Sequence, residues 1–334
     1  MMIWYKESKD DDIIVSTRIR LARNLERYPF PETISALNRD EVIEKIKSAV
    51  LDSNSTLSKE FKFIKMCDLK PYEREELAER HLISNEMKKN ASGAVFLSND
   101  ENMSIMLMEE DHIRLQVILG GAKLKKAWEL ANRIDDVLEE NLTYAFSEKF
   151  GYLTACPTNT GTGMRASVMM HLPALTLTGN INKIISSASA LGLTVRGLYG
   201  EGSKAYGNLY QISNQITLGV SEEEIIEKLE NISSQIEKHE KESRNAIENN
   251  DSVCDKLWRS YGTLKFARNI SSSEAKALIS DVILGQNMGI IDIKGKKSKI
   301  ELMIESEPAL IMQGNNLSPE ERDKKRADFL RENI

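Results

Sequence analysis

The chain has 334 residues, of which 41% are hydrophobic and 29% are charged, and its net charge at pH 7 is -6. This length suits one large domain or two, and the acidic balance argues against a protein that binds nucleic acid directly. The first residues lack the apolar core of a signal peptide, and no run of about 18 apolar residues follows, so we expect a cytoplasmic protein without a membrane span. The three cysteines are far apart in the sequence, which predicts neither a disulfide framework nor a zinc site.

The first half of the chain predicts both strands and helices. Residues 13–25 begin as a β-branched run, and residues 39–51 carry apolar side chains at helical spacing. Residues 71–83 are typical of a helix with proline in its first turn. Residues 93–118 then predict two or three strands, and a long amphipathic helix follows at about 121–147.

The second half returns to strands and ends in helices. Residues 151–218 predict strands with one helix near 180–191, and Ser221 with a glutamate three residues later predicts a capping box that begins a long charged helix. Grouped strands with inserted helices predict an α+β fold, an antiparallel β-sheet flanked by helices, rather than a βαβ alternation. We place a catalytic domain at residues 1–240 and a smaller helical C-terminal domain at residues 241–334.

Arginines form the strongest chemical pattern in the sequence. Arg18 and Arg20 are two residues apart, so on a strand both point to one face, where they repel unless an anion lies between them. Arg165 and Arg196 each follow or precede a glycine-containing turn. Because the guanidinium group binds phosphate oxygens bidentately and stays charged when desolvated, such a set suits a triphosphate held without a P-loop. Any one of these arginines alone would more simply be a solvated residue on a strand.

Acidic residues and a cysteine accompany the arginines. Glu110, His112 and Arg114 have the same spacing of two and would share a face if their strand begins that early. Cys156 precedes a Gly/Thr turn that lacks the Gly-Lys-Ser/Thr ending of a phosphate-binding P-loop. A lone cysteine is usually a small buried apolar residue, so the pattern alone leaves its role open.

Four segments in this order, STRIRLARNL, EEDHIR, CPTNTGTGMRASV and RGLYGE, resemble the signature segments of the ATP:guanidino phosphotransferases, the family of creatine and arginine kinases. The resemblance implies an antiparallel catalytic sheet that binds ATP and Mg²⁺, with the ion held mainly through the nucleotide and no metal site of the protein itself. Position by position, it implies that the nucleotide is bound by Ser16, Thr17, Arg18, Ile19, Arg20, His81, Arg114, Arg165, Ala166, Ser167, Val168, Met169, Arg196, Gly197, Leu198, Tyr199 and Gly200.

The same resemblance implies three catalytic residues. A guanidinium group has no free lone pair, so it must be oriented and relieved of a proton as phosphoryl transfer proceeds. Glu110 and Glu201 match the two family glutamates that grip this group, and Cys156, as a thiolate, is implied to place and polarise it. Standing alone, each glutamate would be an ordinary turn residue.

The acceptor is expected to be a protein. In the small-molecule kinases of this family a helical domain precedes the STR segment and helps to enclose the substrate, whereas here that segment begins at residue 16. We therefore expect an acceptor side open to an arginine on a protein surface. The sequences of residues 165–175 and 196–219 resemble those of the branch of the family that phosphorylates protein arginines. That branch implies as partners a heat-shock transcriptional repressor, a Clp-type protease and a zinc-finger activator protein.

The C-terminal region adds two expectations. The apolar spacing at 274–285 agrees with the homodimerisation that the resemblance implies. RDKKRA at 322–327 resembles a family motif that binds phosphoarginine away from the active site, with Arg322, Asp323 and Arg326 as its ligands. Without the resemblance, this segment would be an ordinary solvated helix end.

Two alternatives stay open, and one position departs from the family pattern. The chain could be a kinase of free arginine or another small guanidino compound, which would need a substitute lid, or an adaptor that binds phosphoarginine without catalysis. Met108 precedes EEDH where family members more often carry asparagine, so a hydrogen bond that supports the site is expected to be lost.

Overall fold

The computed structural model describes residues 3–8, 13–52, 57–197, 205–293 and 295–334. The strands are β1 Ile14–Arg23, β2 Phe61–Lys65, β3 Ala94–Ser98, β4 Met103–Leu107, β5 Ile113–Gly120, β6 Phe146–Ser147, β7 Gly151–Tyr152, β8 Met164–His171, β9 Leu193–Gly197 and β10 Leu209–Asn214. The helices are α1 Trp4–Glu7, α2 Ala36–Leu51, α3 Leu57–Glu60, α4 Pro71–Glu79, α5 Asn85–Lys89, α6 Leu124–Glu139, α7 Pro173–Leu177, α8 Ile181–Ala190, α9 Glu222–Ile247, α10 Asp251–Phe266, α11 Ser272–Asn287, α12 Lys299–Glu305, α13 Pro308–Met312 and α14 Pro319–Asn333.

Eight of these strands form one antiparallel sheet in the order β2-β3-β4-β5-β1-β8-β10-β9, and β6 and β7 form a separate ribbon. This confirms the predicted α+β class. β1, the first strand in the sequence, is central because it pairs with β5 on one side and β8 on the other. The strands that carry STRIR, the last two residues of EEDHIR, and MRAS are therefore neighbours.

One face of the sheet is apolar and covered by helices. Ile19 and Leu21 of β1 join Val117 and Val168 in a core that includes side chains of α2, α6, α8 and α9. The buried positions of α6 recur every three or four residues, from Leu124 to Leu138, as a helix that covers a sheet requires. The alternation of β1 thus sends Ile19 and Leu21 to this core and Arg18 and Arg20 to the opposite face.

The opposite face of the sheet has an apolar end, which helices cover, and a charged part, which carries the arginines. At one end, Ile118 and Met169 join Trp4 in a second core with Ile279 and Ile283 of α11. The C-terminal helices therefore cover part of the face that carries the arginines, and the rest of that face is left for the candidate site.

Several predicted elements are confirmed, and two helices are shorter than predicted. Residues 39–51 lie in α2, residues 180–191 contain α8, and Ser221 forms the predicted capping box. The predicted helix at 121–147 ends at Glu139, because the chain turns back there and the amide of Ala145 bonds to the carbonyl of Asn24.

The predicted helix at 71–83 ends at Glu79, and His81 beyond it adopts a left-handed backbone with φ 62°. The predicted domain boundary at residue 240 falls within α9, which runs without a break from Glu222 to Ile247. In the described ranges, no helix combines the length and apolar character that crossing a bilayer requires.

Candidate active site

Five arginines share one face of the sheet. Arg18 and Arg20 alternate along β1, and Arg165 on β8 lies directly opposite Arg20. The register of β5 and β9 sets Arg114 and Arg196 on the same face. Residues directly opposite in antiparallel strands have Cβ atoms about 4.5–5.5 Å apart, so the register alone brings like charges together.

The crowding shows in the pKa values of the guanidinium groups. Burial, followed by the charges of Arg18, Arg114 and Arg165, holds the pKa of Arg20 well below its usual range. Burial and Arg114 lower the pKa of Arg18 to about 10. Burial, Arg196 and Arg114 lower the pKa of Arg165. The buried Nε of Arg20 has no hydrogen-bond partner, so this face has donors and positive charge to offer to an anion.

Two partners that the sequence analysis did not find orient these arginines. Arg18 Nη2 donates to Gln211 Oε1 at 2.6 Å, and Arg114 Nη1 donates to Glu109 Oε1 at 2.5 Å. Burial opposes the charge of Arg114, but the ion pair with Glu109 outweighs it and raises the Arg114 pKa. The Ser84 hydroxyl also bonds to Glu109. Nothing in the sequence near Gln211 indicates that it contacts an arginine. Glu109 is the first of three consecutive acidic residues, and the sequence does not distinguish it from the other two as the partner of Arg114.

A pocket at one end of the arginine face collects several predicted nucleotide ligands. Its lining includes Ser16, Arg18, His81, Ser167 and Met169. Burial, followed by the charges of Arg18 and Lys276, lowers the pKa of His81 to about 3, so the imidazole is neutral.

Four other predicted nucleotide ligands point away from this pocket. The side chains of Ile19, Ala166 and Val168 lie in the apolar core on the other face, and Thr17, which alternates with Arg18, is buried. Such positions can offer a nucleotide at most their backbone. Gly197 ends β9. Leu198, Tyr199, Gly200 and the predicted catalytic Glu201 lie outside the described residues.

Glu110 and Cys156 lie together beside the arginines. Glu110 is exposed in the loop before β5. Although its side chain is mostly exposed, partial desolvation and the charge of the neighbouring Asp111 raise the pKa of Glu110, while the charge of Arg114 and the nearby Cys156 thiol lower it, with a net upward shift. The Cys156 Sγ lies 3.0 Å from the hydroxyl oxygen of Thr158. The expectation that Glu110, His112 and Arg114 share a strand face is wrong, because β5 begins at Ile113.

The remaining residues of EEDH fix this loop. Asp111 Oδ1 accepts from Asn24 Nδ2 at 2.6 Å and from the amide of Ala155 at 2.7 Å. His112 Nδ1 accepts from the amide of Leu25 at 3.0 Å, and its Nε2 lies 2.9 Å from the carbonyl oxygen of Pro29. Because Asp111 follows Glu110 and Ala155 precedes Cys156, the Asp111 carboxylate holds the two candidate catalytic residues side by side.

A buried arginine anchors the glycine turn that follows Cys156. Arg23 pairs with Asp135 at 2.7 Å, donates to the carbonyl of Thr162 at 3.0 Å and lies 3.5 Å from the ring centroid of Tyr152. Gly163 has φ 63°, and a Cβ there would lie 2.5 Å from Arg23 Nη1. Only glycine fits both the backbone angle and the close approach.

Two clefts meet at Glu110. One is narrow, with a volume of about 30 Å³, lies on the arginine face and is lined by Arg20, Arg114 and Arg165 with Glu110. The second has a volume of about 480 Å³ and runs from Glu110 past Glu109, between the segments that contain Arg39 and Asn90. A phosphate donor and a bulky acceptor could therefore approach the same carboxylate from different sides.

The C-terminal motif is partly occupied by structural bonds. Arg326 is 1% exposed, and its Nε donates to the carbonyl of Ser306 at 2.8 Å while its Nη1 donates to that of Ile270 at 2.9 Å. Asp323 pairs with Arg326, and the buried Nε of Arg322 has no hydrogen-bond partner. Phosphoarginine binding here stays a prediction.

Met108 stands where the family resemblance implies asparagine, and its backbone conformation suits that residue. Its φ of 63° lies in the left-handed region, which asparagine adopts more readily than methionine. Its carbonyl accepts a hydrogen bond from Asn90. Asn90 therefore supports the loop before Glu110 from outside it.

Known proteins resemble this chain along most of its length. Residues 41–243 match the family model of the ATP:guanido phosphotransferase C-terminal catalytic domain, and residues 250–334 match that of the Protein-arginine kinase McsB C-terminal domain. The Protein-arginine kinase of Halothermothrix orenii is 49% identical over 97% of this chain and 94% of that protein.

Two solved structures share the fold. The crystal structure of lombricine kinase has a TM-score of 0.61 and 26% identity, over 71% of this chain and 69% of that one. The substrate-free duplicated taurocyamine kinase from Schistosoma mansoni has a TM-score of 0.58 and 26% identity, over 67% of this chain and 33% of that longer chain.

Proposed function

This chain belongs to the ATP:guanido phosphotransferase family, and on that premise we propose that it transfers the γ-phosphate of ATP to arginine side chains of proteins. The observation that carries the proposal is the convergence of five arginines on one sheet face beside Glu110 and Cys156. Like charges in such a register are costly until a polyanion lies among them. A protein-arginine kinase relative covers nearly the whole chain.

ATP would lie along the arginine face. Ser16, Arg18 and His81 border a pocket of about 10 Å³, which would have to widen to take one part of the nucleotide. The phosphates would reach Arg20 and Arg165, whose pKa values are lowered by burial and by the neighbouring arginines. Among the described residues, no group of three or more His, Cys, Asp or Glu side chains could hold a metal ion. We propose, as the family implies, that Mg²⁺ is held mainly through the phosphates, where it would supply further charge neutralisation.

The chemical step is an in-line transfer. A guanidinium nitrogen of the acceptor forms a bond to the γ-phosphorus as the bond to the β,γ-bridging oxygen breaks, and that electron pair leaves with ADP. The nitrogen loses a proton to a carboxylate, for which we propose Glu110 together with Glu201. Burial raises the pKa of Glu110 above that of an ordinary carboxylate, which makes it a stronger base. We propose that Cys156, which lies beside Glu110, orients the guanidinium.

A protein acceptor fits the second cleft. Its volume of about 480 Å³ exceeds what one guanidinium group fills, and it extends from Glu110 to residues of three separate segments, around Arg39, Asn90 and Ala155. We propose that the polypeptide around the target arginine lies here.

We further propose the cellular setting that the family implies. The products would be marked for a Clp-type protease, the targets would include a heat-shock repressor, and a zinc-finger protein would activate the enzyme in the cytoplasm. Arg322, Asp323 and Arg326 would bind phosphoarginine. Trp258 and Phe266 of α10 are 49% and 73% exposed, which supports a homodimer contact through the C-terminal helices.

A kinase of a small guanidino compound is the second candidate, because the solved structures with this fold are named lombricine kinase and taurocyamine kinase. An adaptor that binds phosphoarginine without catalysis is the third. The three differ in where phosphate goes.

The deciding experiment incubates ATP and Mg²⁺ with an unfolded protein substrate or with free arginine, followed by mass spectrometry under mildly basic conditions that preserve the P–N bond. Wild type, Glu110→Gln and Glu201→Gln are compared with Glu140→Gln, a change at an exposed position on the α6 end. We expect phosphate on protein arginines with wild type and Glu140→Gln. Glu110→Gln and Glu201→Gln should each lower the rate of phosphorylation by roughly 10²–10⁴. Phosphate on free arginine alone would favour the second candidate, and none on either, with ATP still bound, the third.

A further inference from the structure

One carboxylate joins the C-terminal helix α13 to the helix that leads to the nucleotide pocket. Glu79, the last residue of α4, accepts the amide of Ala309 through both oxygens, at 2.9 and 3.0 Å. Its Oε2 also accepts the amide of Leu310 at 3.0 Å. These are first-turn amides, which a helix cannot satisfy within itself. A residue more than two hundred positions earlier in the chain thus caps α13.

The residues that precede α13 are also fixed, by helices α11 and α14. Glu307 immediately precedes the helix and pairs with Lys276 of α11 at 2.5 Å, with both side chains less than one-tenth exposed. The carbonyl of Ser306 accepts from Arg326 of α14. A shift of α11 or α14 would therefore be transmitted to the amides that Glu79 holds.

On the other side of Glu79, the next two residues lead into the pocket. Arg80 pairs with Glu101 at 2.8 Å, and its carbonyl accepts from Trp4 Nε1 at 3.0 Å. The carbonyl of His81 accepts from Gln116 Nε2 at 2.8 Å. His81 has φ 62°, and a left-handed conformation in such a residue persists only where its surroundings over-determine it.

We propose that Glu79 is a positioning residue for the nucleotide: by holding the start of α13 it fixes the end of α4, and with it the left-handed His81 against Arg18. The inference rests on the proposed function, because it takes the pocket of Arg18 and His81 to be that of ATP. Glu79 itself does not line this pocket. Coupling is reciprocal, so a ligand that moves α13 would change ATP affinity, and ATP would tighten α13 by the same factor.

The pH dependence of this contact has a defined sign. Burial raises the pKa of Glu79 to about 7, the two α13 amides lower it, and the charges of Glu307 and Glu75 raise it further. The docked carboxyl therefore binds a proton more tightly than it would once released into water. Docking is favoured below pH 7 and weakens as pH rises through that value.

The test measures the Kd for ATP by calorimetry at pH 6 and pH 8 for wild type, Glu79→Ala, Glu79→Gln and the control Glu140→Gln. Glu140 follows α6 and its side chain is exposed. We expect Glu79→Ala to raise Kd about 10-fold at pH 6, the result of losing hydrogen bonds worth roughly 1.4 kcal/mol, and to raise it less at pH 8, where the wild-type contact is already weakened. Glu79→Gln keeps an oxygen that can accept both amides, so it should retain affinity within about threefold at pH 6 and lose the pH dependence of wild type.

Hydrogen exchange at the amides of Ala309 and Leu310 gives the second readout. ATP should slow their exchange in wild type and leave it unchanged in Glu79→Ala. Equal ATP affinity in Glu79→Ala and wild type, despite faster exchange at these amides, would overturn the inference while leaving the proposed function intact. If Glu79→Ala does not fold, an unchanged pH dependence in Glu79→Gln overturns it equally. Wild type that binds no ATP would refute the proposed function itself.

Discussion

Arg20 and Arg23 lie three residues apart on one strand and serve opposite purposes. Arg23 is 1% exposed and spends its donors on Asp135 and two carbonyls, so its charge is matched within the fold. Arg20 faces Arg165 across the sheet, its Nε has no partner, and its pKa is held well below the usual range by burial and by like charges. We call an arginine matched when acceptors within the fold bind its donors and balance its charge. A matched arginine stabilises the fold, whereas an unmatched arginine can bind an anion.

The two arginines of the C-terminal motif, Arg322 and Arg326, differ in the same way. Arg326 resembles Arg23, because it is buried and bonded to two carbonyls and a carboxylate, whereas Arg322 retains an unpartnered Nε. Of the two, Arg322 is therefore the better candidate for direct contact with an anion, and Arg326 the better candidate for shaping the site.

The largest effect is expected at Arg20. Arg20→Gln should lower kcat/KM by about 10³–10⁵, the range for an arginine that stabilises transferred phosphate. The Tm of the ATP-free protein should stay equal or rise, because repulsion by Arg18, Arg114 and Arg165 is relieved. Kinetics and calorimetry check both signs, with the exposed Arg133→Gln as control. A large loss of stability without ATP would mean that Arg20 is matched after all.

Arg23 should show the reverse. Arg23→Met should lower the free energy of unfolding by about 3–5 kcal/mol, because Asp135 is left as an uncompensated buried charge. Urea titration measures this loss. Arg23→Met combined with Asp135→Leu should recover much of it, and failure to recover would point to the carbonyl and ring contacts of Arg23 as the main source of stability.

Giving Arg18 a carboxylate partner tests directly whether an unmatched arginine is needed to bind ATP. Gln211→Glu places a carboxylate where Arg18 already donates at 2.6 Å, so it should raise the pKa of Arg18 and compete with phosphate. We expect ATP to bind about 10-fold more weakly, a cost of roughly 1.4 kcal/mol. The exposed Gln215→Glu is the matched control for added negative charge. Unchanged affinity would place the phosphates away from Arg18.

The smallest expected effect is a change in a pH profile. The thiol of Cys156 lowers the pKa of Glu110, so Cys156→Ala should raise that pKa and move the acid limb of kcat/KM to higher pH. The sign follows because a base must be deprotonated to act. A profile shifted to lower pH, or unshifted despite a fall in kcat, would separate Cys156 from the protonation of Glu110.

The sequence predicted the arginine face better than the loops around it. A spacing of two was enough to place Arg18 and Arg20 together, because strand alternation is a local property. The spacing failed at Glu110, where the tertiary bonds of Asp111 and His112 end the strand pattern before β5 begins.

Partners from distant segments could not be predicted at all. Gln211 reaches Arg18, and Glu79 reaches α13, across separations for which no local pattern exists. The end of α6 was missed for the same reason, since the bond between Ala145 and Asn24 depends on where β1 lies. The residue types and their spacing in the sequence determine which face of a strand or helix a side chain lies on. The tertiary packing determines which residues it contacts there.

The register that sets Arg20 opposite Arg165 also bears on how the sheet assembles. If β1 slipped by one residue against its neighbours, its alternation would turn Arg18 and Arg20 into the apolar core now filled by Ile19 and Leu21. Burying guanidinium groups there without partners would be prohibitively costly. The charges that crowd the correct pairing therefore penalise the incorrect one far more, and during folding the arginines act as a safeguard against misaligned strands.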